Sequence, residues 1–120
     1  MTDLIATLSA RRRAKLDALP GSLQPTVRVV TEVVNERLNQ DAKWGVQNHP
    51  DGTSDYWVVH AESAKRENEW RSKTGNIDWR CILLEEVWEA FAETDPKLLR
   101  EELVQVAAVA VAWVEAIDRR

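Results

Sequence analysis

The stretch Val106 to Val114, Val-Ala-Ala-Val-Ala-Val-Ala-Trp-Val, is apolar without a break and follows a proline at Pro96. Read as part of a helix from Pro96 to about Asp118, it has no polar side, so other helices must surround it. A membrane does not serve, because a span needs roughly 20 apolar residues. A bundle of about four helices from a single short chain has difficulty surrounding such a helix. The sequence therefore predicts an all-α bundle that assembles as a homo-oligomer, a homodimer or a homotetramer.

The composition points the same way. Hydrophobic residues make up 44% and charged residues 30% of the 120 positions, with only 4 Gly and 4 Pro, which suits helices joined by short connections. One core is expected at this length. A net charge of −4 argues against a general nucleic-acid binder, since phosphate backbones are held by clustered Lys and Arg. An anionic substrate would need a bridging cation or a local basic cluster. The single cysteine, Cys81, fits a reducing compartment and reads as a small core residue. In the N-terminal stretch the basic run follows the weakly apolar residues, the reverse of a secretion signal. A soluble, cytoplasmic protein with no membrane contact is expected.

Residues 1–24 read as an N-terminal helical arm and 25–120 as the all-α domain. The arm's helix, over 3–18, carries Leu4, Ile5, Leu8 and Leu16 with Arg11, Arg12 and Arg13 opposite, and Pro20-Gly21 breaks it. From Thr26 to about Lys43, Val30, Val33, Val34, Leu38 and Ala42 recur at helical spacing. Trp44 to Ser54, punctuated by Gly45, Pro50 and Gly52, reads as a loop. Ser54 or Asp55 can cap a helix to about Lys73 with Trp57, Ala61, Ala64 and Asn68 on one side, and Gly75 ends it. Asp78 can cap a helix to Glu93, and Asp95-Pro96 opens the last helix. The last two helices are expected to form an antiparallel hairpin.

The helix before Asp95 is unusually acidic. Glu85, Glu86, Glu89, Glu93 and Asp95 occur between Cys81 and Pro96 with no Lys or Arg. At spacings of three and four these carboxylates are neighbours and repel one another, so something positive should offset them. Positions equally far from a hairpin turn face each other. Glu89 lies six residues before Asp95 and Glu102 seven after it; Glu86 lies nine before and Gln105 ten after. At about 1.5 Å per residue each pair sits at one height, so Glu86, Glu89, Glu102 and Gln105 point into one gap. An all-oxygen donor set suits Mg²⁺ or Mn²⁺ and does not suit a structural zinc. The plainer reading is that these glutamates pair at the surface with Arg80, Lys97, Arg100 or another subunit. Glu102 speaks for the metal, because it belongs to a stripe of Leu98, Val106 and Val109 where a lone carboxylate is costly to bury.

These residues resemble the all-α nucleoside triphosphate pyrophosphohydrolase superfamily, the MazG-like proteins, whose pattern is Glu-Glu-x-x-Glu followed on the next helix by Glu-x-x-Asp. Glu85, Glu86, Glu89 and Glu102 match, while Gln105 stands where the family has aspartate. The resemblance covers roughly residues 26–118, including Trp44-Gly-Val-Gln-Asn-His-Pro-Asp-Gly-Thr53. It implies Mg²⁺-dependent hydrolysis of an NTP or dNTP to the monophosphate and pyrophosphate. Metal would be held by Glu86, Glu89, Glu102 and Gln105, with Glu85 orienting water. By the same resemblance Trp44, Gln47, Asn48 and His49 form a base and sugar pocket, while Lys65 and Asn68 reach phosphate. Trp44 reads equally as an aromatic closing the bundle end, and Lys65 and Asn68 also read as an ordinary exposed polar face. A second functional reading is a catalytically weak nucleotide-binding or protein-interaction module, for which Gln105 is the supporting feature. A third is a helical dimerisation domain without a ligand.

Overall fold

The computed structural model describes residues 21–120; the expected arm helix at 3–18 lies outside them. The described residues form four α-helices and no strand: α1 Gln24–Trp44, α2 Val58–Thr74, α3 Trp79–Ala92 and α4 Pro96–Asp118. Short 3-10 turns, Gly21–Leu23 and Asp55–Trp57, lead into α1 and α2. No helix among the described residues is long and apolar enough to cross a membrane. Pro50–Trp113 form one compact unit; the described residues up to His49, with Val114–Arg120, form another.

In the first unit, local signals set the helix ends. The Ser54 hydroxyl accepts from the Tyr56 N–H at 3.1 Å, but Asp55–Trp57 wind as a tighter 3-10 turn before α2 opens at Val58. Gly75 closes α2 at φ 73°, a left-handed conformation that glycine adopts without strain. Asp78 accepts from the Cys81 N–H at 2.8 Å and caps α3, and Asp95 accepts from the Lys97 N–H at 2.9 Å at the start of α4. Each side chain satisfies a donor that the first helical turn leaves free.

Among the described residues α2 and α3 are the helix pair that packs most closely. The side that α2 turns inward carries Ala61, Ala64 and Asn68, and small residues at a crossing shorten the interaxial distance. Asn68, Cys81 and Ala90 are buried there. Ahead of α2, the Ser54 N–H donates to the Phe91 carbonyl at 2.9 Å, tying the turn to the end of α3. Trp57 and His60 stack on Trp88, with centroids 5.6 Å and 4.6 Å away, and Phe91 meets Trp88 edge-on. The backbones of α3 and α4 draw together less closely. Their side chains meet at two levels, where Trp79 stacks on Trp113 at 6.5 Å and where Glu86 and Glu89 reach Glu102. Leu99, rather than Leu98 of the expected stripe, is the buried leucine of α4; Leu98 is 45% exposed. No residue of Val106 to Val114 is buried in this chain.

In the other unit, α1 buries Val29 and Thr31. The Thr26 hydroxyl donates to the Glu115 carboxylate at 2.9 Å. Gly45, at φ 66°, ends the helix.

Candidate metal centre

Glu86 and Glu89 stand one turn apart on α3, whose start is fixed by Asp78, and Glu102 stands on α4, whose start is fixed by Asp95. One carboxylate oxygen of each lies within 4.8 Å of the others, and all three side chains are half-buried. Two full charges at that separation repel by roughly 3 kcal/mol at an effective dielectric of about 20. Three such carboxylates do not stay together ionised without a cation or a proton.

No basic side chain among the described residues pairs with them. Glu86 Oε2 and Glu102 Oε2 are buried and accept no hydrogen bond. Among the described residues none of these glutamates lies within ion-pair distance of a Lys or Arg. Arg80 reaches Asp78 at 3.9 Å instead, so it does not serve as the surface partner considered from sequence. Burial first, then the charges of Glu86, Glu102 and Glu85, pushes the Glu89 carboxyl up to about 7, with Lys65 pulling the other way. Glu86 is raised for the same reasons, burial first, then Glu102 and Glu85. Orphaned buried oxygens and carboxyls raised above their ordinary range in an all-oxygen cluster fit a hard divalent cation such as Mg²⁺ or Mn²⁺. Gln105, one turn beyond Glu102, is exposed.

Glu85 is not part of the three-carboxylate cluster. Its Oε2 accepts from Asn68 Nδ2 at 3.0 Å, and the same amide donates to the Cys81 carbonyl at 2.9 Å. Asn68 is therefore an internal brace between α2 and α3, only 7% exposed. Beside it an open hollow is lined by Lys65, Asn68, Glu69, Ser72, Lys73 and Glu85. Lys65 and Asn68 were candidates from sequence; Ser72 and Lys73 were not, although Ser72 follows Lys65 at the spacing of a single helix face. The aromatic group of Trp57, His60, Trp88 and Phe91 was also missed as a group. Its signal was present in two pairs, each three residues apart.

In the other unit, Trp44, Val46, Gln47, Asn48 and His49 line a second open hollow. Trp44 is 57% exposed, with the Lys43 ammonium 4.7 Å over its ring, and His49 Nε2 lies 3.1 Å from Gln47 Oε1. Cys81 is buried, and its thiol is held above the ordinary value by a hydrogen bond with Asp78 and by burial. That environment suits a core residue better than a nucleophile.

No protein-family model, curated protein or solved structure matches the chain.

Proposed function

We propose that the chain is a Mg²⁺-dependent, MazG-like nucleoside triphosphate pyrophosphohydrolase, converting an NTP or dNTP to the monophosphate and pyrophosphate. The observation that carries this reading is the pair of buried, unpartnered oxygens of Glu86 and Glu102 beside the proton-holding carboxyl of Glu89. Glu86, Glu89 and Glu102 would hold the cation, which when bound would supply charge neutralisation at phosphate oxygens and a more acidic water. Glu85 orients the attacking water and takes its proton as the new bond to the α-phosphorus forms. The bridging oxygen leaves with pyrophosphate. Lys65, exposed in the hollow beside Glu85, offers positive charge to the departing phosphates. Trp44 offers a stacking face to a base, with Gln47, Asn48 and His49 as hydrogen-bonding groups.

Two structural expectations belong to the same reading. Matched side-chain meetings at Trp79 with Trp113 and at Glu86 and Glu89 with Glu102 support an antiparallel α3–α4 hairpin. The exposed apolar residues of α4, among them Leu103 and Val104 at 50% and 55%, support a homodimer or homotetramer that covers them.

Gln105 favours a second reading, a nucleotide-binding or protein-interaction module with weak turnover. Its amide oxygen can ligate, yet it adds no charge where an aspartate would. Pyrophosphate release by purified protein, measured with each nucleoside triphosphate with and without Mg²⁺, decides between the two. Mg²⁺-dependent release supports the enzyme; nucleotide binding without release supports the module.

A further inference from the structure

We propose that Asn68 is the positioning residue for Glu85, an inference that rests on the hydrolase reading above. A primary amide has two N–H donors and both are spent inside the protein, one on the Cys81 carbonyl at 2.9 Å and one on Glu85 Oε2 at 3.0 Å. Cys81 lies one helical turn before Glu85 on α3. The amide thus ties the Glu85 carboxylate to the backbone of its own helix, through a side chain that belongs to α2. With Asn68 only 7% exposed, water does not compete for either bond. An untethered glutamate on a helix samples several rotamers; this one has one oxygen fixed and the other left to act on water.

The geometry gives Asn68 and Lys65 different roles although both are on α2. Lys65 is exposed and free to meet an anion, while Asn68 is buried and has no amide proton left to give. Glu85 differs likewise from Glu86, Glu89 and Glu102, which cluster together without such a donor. Loss of Asn68 should therefore spare cation binding and damage only the step that needs Glu85.

A double-mutant cycle on the full chain tests this. Asn68→Ala, Glu85→Gln and the double variant are compared for pyrophosphate release and for the rise in melting temperature with Mg²⁺. The expected result is a fall in kcat on the order of 10- to 100-fold for Asn68→Ala with little change in KM, the scale of a misplaced catalytic group. The Mg²⁺-induced rise should remain, and the double variant should be no slower than Glu85→Gln alone. Asn68→Ser, which keeps one donor, should fall between wild type and Asn68→Ala, and it replaces the alanine variant should that one fail to fold. Should neither fold, NMR of the wild-type Asn68 side-chain amide decides. Slowly exchanging protons whose shifts move in Glu85→Gln support the bond, and fast exchange with unmoved shifts overturns it. Multiplicative losses in an active protein overturn the positioning role alone. A wild type that releases no pyrophosphate overturns the hydrolase reading and this role with it.

Discussion

Glu86 on α3 and Glu102 on α4 each bury one carboxylate oxygen that no donor among the described residues reaches, and their ligating oxygens lie within 4.8 Å of each other. Folding brings two like charges together and leaves them unpaired, a combination that costs stability unless a cation or protons offset it.

That cost makes stability depend on pH. The Glu89 carboxyl holds its proton up to about 7 in the fold, well above an unfolded glutamate at about 4.3. Between those values the folded state binds more protons, so stability falls as pH rises through the window and is regained as pH falls. Metal-free protein should melt at a higher temperature at pH 5.5 than at pH 8, and saturating Mg²⁺ should flatten the difference. Scanning calorimetry across this range checks it; a metal-free melting temperature that climbs from pH 5.5 to pH 8 would contradict it.

Glu89→Gln separates stability from function. Replacing the carboxylate relieves repulsion by Glu85, Glu86 and Glu102, so the metal-free variant should gain on the order of 1 kcal/mol, or roughly 4 °C in melting temperature. Most pyrophosphate release and most of the Mg²⁺-induced stabilisation should disappear. Full turnover in this variant would remove Glu89 from the centre.

How far the sequence carries depends on the range of the forces involved. The caps at Asp78 and Asp95, the stop at Gly75 and the proline start of α4 were legible, since each is decided within one helical turn. The convergence of Glu86 and Glu89 with Glu102 was legible too, from distances counted either side of Asp95-Pro96 at a fixed rise per residue, whereas Gln105, counted into the same gap, is exposed. The 3-10 turn at Asp55–Trp57 was not, and neither was Leu99 in place of Leu98 as the buried leucine. Each of these turns on a small rotation of one helix against its neighbours. The Asn68 amide bridging Cys81 and Glu85 was not legible, the sequence offering either a phosphate contact or an exposed polar face, because its partners belong to another helix and only close packing of α2 on α3 brings them within reach.

Gln105→Asp tests the one departure from the MazG-like pattern. Gln105 is exposed one turn beyond Glu102, so a carboxylate there is tested as a fourth anionic ligand without new burial. Mg²⁺ should bind more tightly and turnover at sub-saturating metal should rise, while the metal-free melting temperature drops through added repulsion. Parallel Mg²⁺ titrations of melting temperature and pyrophosphate release measure both effects. Identical curves for the variant and wild type would place Gln105 outside the centre.

Asp95→Ala reaches the site from a distance. The Asp95 carboxylate caps α4 at the Lys97 N–H, and losing such a cap typically costs about 1 kcal/mol. Fraying the start of α4 loosens Glu102 one and a half turns further on, so the Mg²⁺-induced stabilisation should shrink as well. Urea denaturation with and without Mg²⁺ reads both changes, and an unaltered Mg²⁺ response would separate the cap from the site.

Binding of Mn²⁺, followed by loss of the free-ion electron paramagnetic resonance signal, tests most directly whether Glu86, Glu89 and Glu102 hold one divalent cation. Wild type should take up one Mn²⁺ that Mg²⁺ displaces. Glu86→Gln and Glu102→Gln should each weaken uptake by at least the roughly 10-fold that loss of an outer-shell partner alone can cost. Uptake by wild type no greater than that of a variant with all three glutamates replaced by glutamine would contradict the account.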